Sequence, residues 1–100
     1  MSEKEIKNEI LKLGFNVNSR GVKYWTDAIK LTLESDDTNK IMDIYDYVAK
    51  KNNTTRNRVV RIMSYAIKPA QKNIQNKYGY YKEIKNRTFL NLIKFEKEEK

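Results

Sequence analysis

Apolar residues recur at helical spacing in four successive blocks, with polar breakers between them. Ser2 followed by Glu5 forms a capping-box pair; Ile6, Ile10 and Leu13 then give a stripe, and Gly14 suits the end of that helix. After the connection "FNVNSRG", a second helix is expected from about Val22 to Glu34. Its inward positions are Tyr24, Trp25, Ala28, Ile29 and either Leu31 or Leu33. "SDDTN" is a loop and N-cap cluster. In the third block, Ile41, Ile44, Tyr45, Val48 and Ala49 follow the i, i+3, i+4, i+7, i+8 pattern without a gap. "KNN" (Lys51 to Asn53) breaks this helix, and Thr54 is expected to cap the next one. There Val59, Ile62, Met63, Ala66 and Ile67 repeat the spacing until Pro69 ends or kinks the helix. A short helix from Ala70 to Lys77, closed by Gly79, completes this part.

The tail, "YYKEIKNRTFLNLIKFEKEEK", admits two patterns. As a helix, Phe89, Leu90, Leu92, Ile93 and Phe95 spread over more than half the circumference, a poor stripe for a surface helix. As two strands, Tyr80–Ile84 and Thr88–Phe95 are rich in aromatic and β-branched residues and flank a polar "KNR" turn. The expected class is therefore mainly α, with 80–95 slightly favoured as a β-hairpin. The helical alternative would make Phe89, Leu92, Ile93 and Phe95 core or dimer-interface residues. Residues 96–100 are a charged end.

One hundred residues without internal repeat or linker make a single domain of limited core. Charge changes the picture most. Residues 50–88 hold eleven Lys or Arg against one acid, Glu83, a balance of +10; residues 1–49 balance at −2 and residues 89–100 at zero. A contiguous block of this sign exceeds what solubility needs and points to a polyanion. The chain has neither cysteine nor histidine. This removes thiolate metal sites, disulfides and the commonest bases and nucleophiles. With no Gly-rich phosphate loop and no credible catalytic pair, an enzyme is disfavoured, and no cofactor or metal is expected. Asp43 and Asp46 lie one turn apart, but without a third ligand they count as solvated charges. No apolar run is long enough to span a membrane and no secretory signal stands at the start, so a cytoplasmic protein without membrane partners is expected.

The third and fourth helices, joined by a tight turn, have the pattern of a helix-turn-helix at about residues 39–68. At about 100° per residue, Asn57, Arg61, Ser64 and Lys68 fall together opposite the apolar stripe, with Arg58 and Tyr65 beside them. Such a face suits a major groove, where guanidinium groups pair with guanine edges and Asn with adenine. Asn57, Arg58 and Arg61 occupy the first two turns, where recognition helices meet bases, and Val60 borders them, within reach of a thymine methyl. Phosphate contacts are expected from Lys50, Lys51, Asn53, Thr54, Thr55, Arg56, Ser64, Tyr65 and Lys68. Plainer roles compete. Thr54 would then be a cap alone, Tyr65 a rim packing residue, and the arginines a solvated face, although cations near a helix N-terminus oppose its dipole unless an anion compensates. Trp25, Tyr45 and Tyr47 suit a core better than base stacking. A hairpin tail would complete a winged helix, with Lys82, Lys85, Asn86 and Arg87 at the wing tip.

"ILKLGF" followed by "GVKYWTDAI", and above all "IYDYVAKKNNTTRNRVVRIMSYAI", resemble segments of the C-terminal DNA-binding domain of the sporulation master response regulator of spore-forming bacteria. The resemblance covers about residues 6–95 and runs through the turn into the fourth helix. It implies a helical helix-turn-helix domain that binds DNA as tandem or paired copies, with base or phosphate roles at Asn57, Arg58 and Arg61. Val60 stands where the family has a glutamate, and Ser64 and Tyr65 replace an Arg-His pair, so a different DNA sequence is expected. The stretch between Tyr80 and Phe89 is shorter than in the family. No receiver domain is present, which suggests a stand-alone relative. The expected function is sequence-specific binding of double-stranded DNA as a homodimer or tandem copies, by default as a transcriptional regulator. The alternatives are an accessory protein that marks a plasmid origin of transfer or replication, and an interaction module for an acidic protein partner.

Overall fold

The first helix begins as its capping pair dictates. Glu5 N–H donates to Ser2 Oγ at 3.2 Å, and Ser2 N–H donates to the Glu5 carboxylate at 3.0 Å. In the computed structural model, which describes residues 1–17, 19–35 and 40–99, six α-helices follow in order. They are α1 (Glu3–Lys12), α2 (Ser19–Glu34), α3 (Ile41–Lys51), α4 (Arg56–Ile67), α5 (Gln71–Tyr78) and α6 (Asn86–Glu98). A 3₁₀ turn at Lys68–Ala70 carries Pro69 between α4 and α5, where its missing N–H costs little. Gly79 ends α5 in the left-handed conformation, φ 65°. The expected "SDDTN" cap cluster falls largely on residues 36–39, outside the described ones. Helix α2 starts at Ser19, ahead of the expected Val22.

Helix α2 is the axis of the domain and packs against α1, α3, α4 and α6. Its Trp25 is fully buried, and the rings of Phe15 and Phe89 meet it edge-on at centroid separations of 5.5 and 5.4 Å. The indole N–H donates to the Met63 carbonyl of α4 at 2.9 Å, which satisfies its polar end inside the core. Near the start of α2, Gly21 allows α4 to approach closely: an added Cβ there would lie 2.7 Å from the Ala66 Cβ.

The expected hairpin wing is corrected by the fold. Residues 86–98 form α6, and no strand occurs among the described residues. Phe89 and Leu90 are both buried, with Leu92 and Ile93 partly so. A strand would send Phe89 and Leu90 to opposite faces, whereas on a helix these four residues span about 160°. That wide arc suits a helix packed against both α2 and α4. Phe95, which made the stripe look too broad, is 60% exposed and stays outside the core. Upstream, the backbone of the basic segment is held by glutamine side chains. Ile84 N–H donates to Gln71 Oε1 at 2.8 Å, Gln71 Nε2 donates to Ile84 O at 2.6 Å, and Gln75 Nε2 donates to Lys82 O at 2.9 Å. These amides supply the hydrogen bonds that a paired strand would have given.

The α2–α4 contact makes a prediction. Helix propensity alone favours Ala over Gly by about 1 kcal/mol. Overpacking costs about 1–3 kcal/mol, and the neighbour here is a helix-borne methyl with little freedom to yield. Gly21→Ala should therefore lower stability in urea or thermal unfolding; a gain would show that the two helices can part freely.

Candidate nucleic-acid interface

Helix α3 ends because its last turn closes on itself. Asn52 N–H donates to Val48 O at 3.1 Å, and Thr54 N–H donates to Ala49 O at 2.9 Å. Between them Asn53 adopts φ 52°, a left-handed conformation that Asn tolerates better than most residues. Thr54 is thus engaged in ending α3, and the expected cap moves one residue on. Thr55 is the N-cap of α4, its Oγ1 accepting from Arg58 N–H at 3.3 Å. Helices α3 and α4 are therefore joined by a four-residue connection.

The inner stripe of α4 is Val59, Met63, Ala66 and Ile67, all buried, with Val60 and Ile62 half-buried. Asn57, Arg58, Arg61, Tyr65 and Lys68 are exposed together on the other side, Tyr65 by 63%. Neither Arg58 nor Arg61 has an ion-pair partner among the described residues. Lys50, Asn53 and Thr55 are exposed beside the helix start, while Thr54 is half-buried. The Lys68 ammonium lies 5.8 Å from the Tyr65 ring centre.

Two of the expected cationic phosphate donors are ion-paired inside the domain. Arg56 grips Asp46 of α3 with two parallel bonds, Nε to Oδ1 at 2.6 Å and Nη2 to Oδ2 at 2.7 Å. The hydrogen bonds from Arg56 hold the Asp46 carboxyl below its ordinary range, so this acid is a tie across the turn and not only a solvated charge. Lys51 points its ammonium at Asp27 of α2, 3.3 Å away, with Glu3 at 3.9 Å. The charge of Asp27 raises the Lys51 pKa. Tyr45 and Trp25 are core residues, as expected, but Tyr47 is 41% exposed, its ring centre 5.9 Å from the Lys51 ammonium.

The residues expected at a wing tip are separated by α6. Lys82 is exposed in the irregular segment, Lys85 precedes α6, and Arg87 is exposed in its first turn. Asn86 is buried, with 5% of its surface exposed, and donates through Nδ2 to Tyr45 Oη at 3.1 Å and Ser64 Oγ at 3.0 Å. It locks the start of α6 to α3 and α4 rather than reaching outward. Burial pushes the Tyr45 phenol up, so it remains a hydroxyl in this network. A cleft of about 740 Å³ opens beside the C-terminal half of α4, lined by Ser64, Lys68, Lys85, Asn86 and Arg87 among others. Among the described residues, no group of three acids, cysteines or histidines could hold a metal. Sequence reasoning missed the roles of Asp27, Asn52 and Asp46. The only signal was the i, i+4 spacing of Lys23 and Asp27; which helix those charges face is a tertiary matter.

Fold and exposed face together are those of a small all-helical DNA-binding domain. The family model described as "Sporulation initiation factor Spo0A C terminal" matches residues 6–95, and the chain belongs to that family, the C-terminal DNA-binding domain of a sporulation response regulator. No curated protein and no solved structure matches the chain. The family consists of DNA-binding domains of a transcription regulator and is not an enzymatic one. No helix among the described residues is long and apolar enough to cross a membrane.

The Asp46–Arg56 pair can be checked by titration. A carboxylate whose folded pKa is depressed stabilises the fold above its unfolded pKa, and that contribution is lost as pH falls through the folded value. Carboxyl resonances should show Asp46 titrating below the ordinary 3.8, and Arg56→Ala should return it there. An unshifted Asp46 in the unaltered protein would show that the clamp does not persist in solution.

Proposed function

We propose that this chain is a sequence-specific double-stranded DNA-binding protein that acts as a transcription regulator, with α3 and α4 as a helix-turn-helix and α4 in the major groove. The observation that carries this reading is the outward face of α4. Asn57, Arg58 and Arg61 project from its first two turns, the arginines without acidic partners, while the opposite face is fixed in the core. A guanidinium left without a carboxylate is available to the O6 and N7 of guanine, and the Asn57 amide to adenine; Val60 is at the edge of this face. Lys50, Asn53, Thr54, Thr55, Tyr65 and Lys68 flank it as backbone contacts that set register. Ser64 and Arg56, engaged with Asn86 and Asp46, act mainly as supports. One such helix covers only a few base pairs, so a homodimer or a tandem pair on repeated half-sites supplies a site of useful length.

Membership of a regulator family supports this role. No observation on the molecule favours the origin-marking role or an acidic protein partner, and both are set aside. Two substitutions separate base contacts from backbone contacts. Arg61→Ala should weaken binding to the preferred duplex by about 1–3 kcal/mol and relax its base preference. Lys50→Ala should weaken preferred and scrambled duplexes alike and lower the salt slope by about one. Equal losses on both duplexes from Arg61→Ala would remove it as a base reader.

A further inference from the structure

Among the described residues, Asp27 is the only charged one that is buried, and its carboxylate is fully enclosed. Two of its partners come from another element. Lys23, one turn earlier on α2, donates at 2.9 and 3.2 Å. From the end of α3, Asn52 Nδ2 donates to Oδ2 at 2.8 Å, and the Lys51 ammonium lies 3.3 Å from Oδ1. The same Asn52 amide donates to Val48 O at 2.9 Å, so one side chain joins α2 to the last turn of α3. Asn52 is followed by the left-handed Asn53, and Thr55 already caps α4. Helices are stiff, so any change in this short connection is carried to Asn57, Arg58 and Arg61.

We infer that Asp27 is a specificity-determining positioning residue: from α2 it holds the α3–α4 connection in the shape that aims α4, and it keeps the Lys51 ammonium off the DNA backbone. This inference rests on the DNA-reading role proposed for α4. Its charge logic is distinctive. A buried carboxylate facing two lysines offsets one unit of positive charge and holds the Lys51 ammonium, which would otherwise be available to any phosphate. Asp27 therefore suppresses indiscriminate attraction while it orients the discriminating side chains. A carboxylate serving the core alone would not couple these two effects.

The test compares a duplex selected from a random pool with a scrambled duplex of the same composition, each at several salt concentrations. Unfolding and circular dichroism serve as the check on folding. Asp27→Asn keeps the shape and one acceptor oxygen but removes the charge, taking the formal net charge from +8 to +9. In the folded variant, scrambled-duplex affinity should rise, the salt slope should steepen by about one as Lys51 is released, and the selected-to-scrambled ratio should fall roughly tenfold. Lys51→Ala should leave the salt slope unchanged. If Asp27→Asn does not fold, Asn52→Ala cuts the tie to the connection and leaves the ion pairs in place; the ratio should fall at constant slope. A folded Asp27→Asn with the original ratio and slope overturns the inference, as does a folded Asn52→Ala with the original ratio. A slope lowered by about one in Lys51→Ala would place that lysine on phosphate and overturn it too. If the unaltered protein itself shows no preference between duplexes, the DNA-reading proposal fails first, and the two failures are distinguishable.

Discussion

The contact of α2 with α4 governs the rest of the molecule. Trp25 sits at the centre of the core, donates its indole hydrogen to the backbone of α4, and is flanked by Phe15 from the α1–α2 connection and Phe89 from α6. Gly21 lets the two helices close until an added Cβ would lie 2.7 Å from the Ala66 methyl. Val59, Met63, Ala66 and Ile67 are thereby committed inward, and the helical period turns Asn57, Arg58 and Arg61 out. The cationic face of α4 is a consequence of which residues the core of α2 takes.

Charge is then sorted by geometry. The basic segment looks uniform in sequence, but its members do different work in the fold. Arg56 ties α4 back to Asp46 of α3, and Lys51 ties the end of α3 to the buried Asp27. Both lie beside the connection and hold it from opposite partners. Arg58 and Arg61 carry no such tie. Of these two, Arg58 lies in the first turn of α4, where a cation without a local anion opposes the helix dipole. An arrangement that tolerates this cost while neighbouring cations are neutralised is best explained by an anion supplied from outside. Asn86 extends the framework: buried among Tyr45 and Ser64, it fixes the start of α6 against both helices of the connection.

The sequence carried α1, α3 and α4 well, because each has an apolar stripe and punctuation at Ser2, the "KNN" break or Pro69, whereas α2 begins three residues ahead of its expected start and the cap of α4 falls on Thr55, not Thr54. It failed at 80–95, where composition was weighed as if every apolar residue were buried. Removing the exposed Phe95 leaves an arc that one helix can bury against two neighbours, but nothing local announces which aromatic stays outside. The outward face of α4 was legible for the same reason as the stripe, since periodicity fixes both sides of a helix at once; the family resemblance rested instead on particular residues in "ILKLGF", "GVKYWTDAI" and "IYDYVAKKNNTTRNRVVRIMSYAI". The partners of Lys51 and Arg56 were not. Asp27 is twenty-four residues from Lys51 in the chain, and only tertiary packing makes them neighbours.

The central claim is that the exposed face of α4 discriminates between DNA sequences. The most direct measurement is selection of bound duplexes from a random pool, then affinity for the recovered duplex and a scrambled control at two salt concentrations. The account predicts a recovered motif, repeated as half-sites if two copies bind, preferred by about a thousandfold or more and still preferred at the higher salt. A pool that yields no motif, with binding that disappears steeply as salt rises, would make the basic segment a surface for any polyanion and contradict the account.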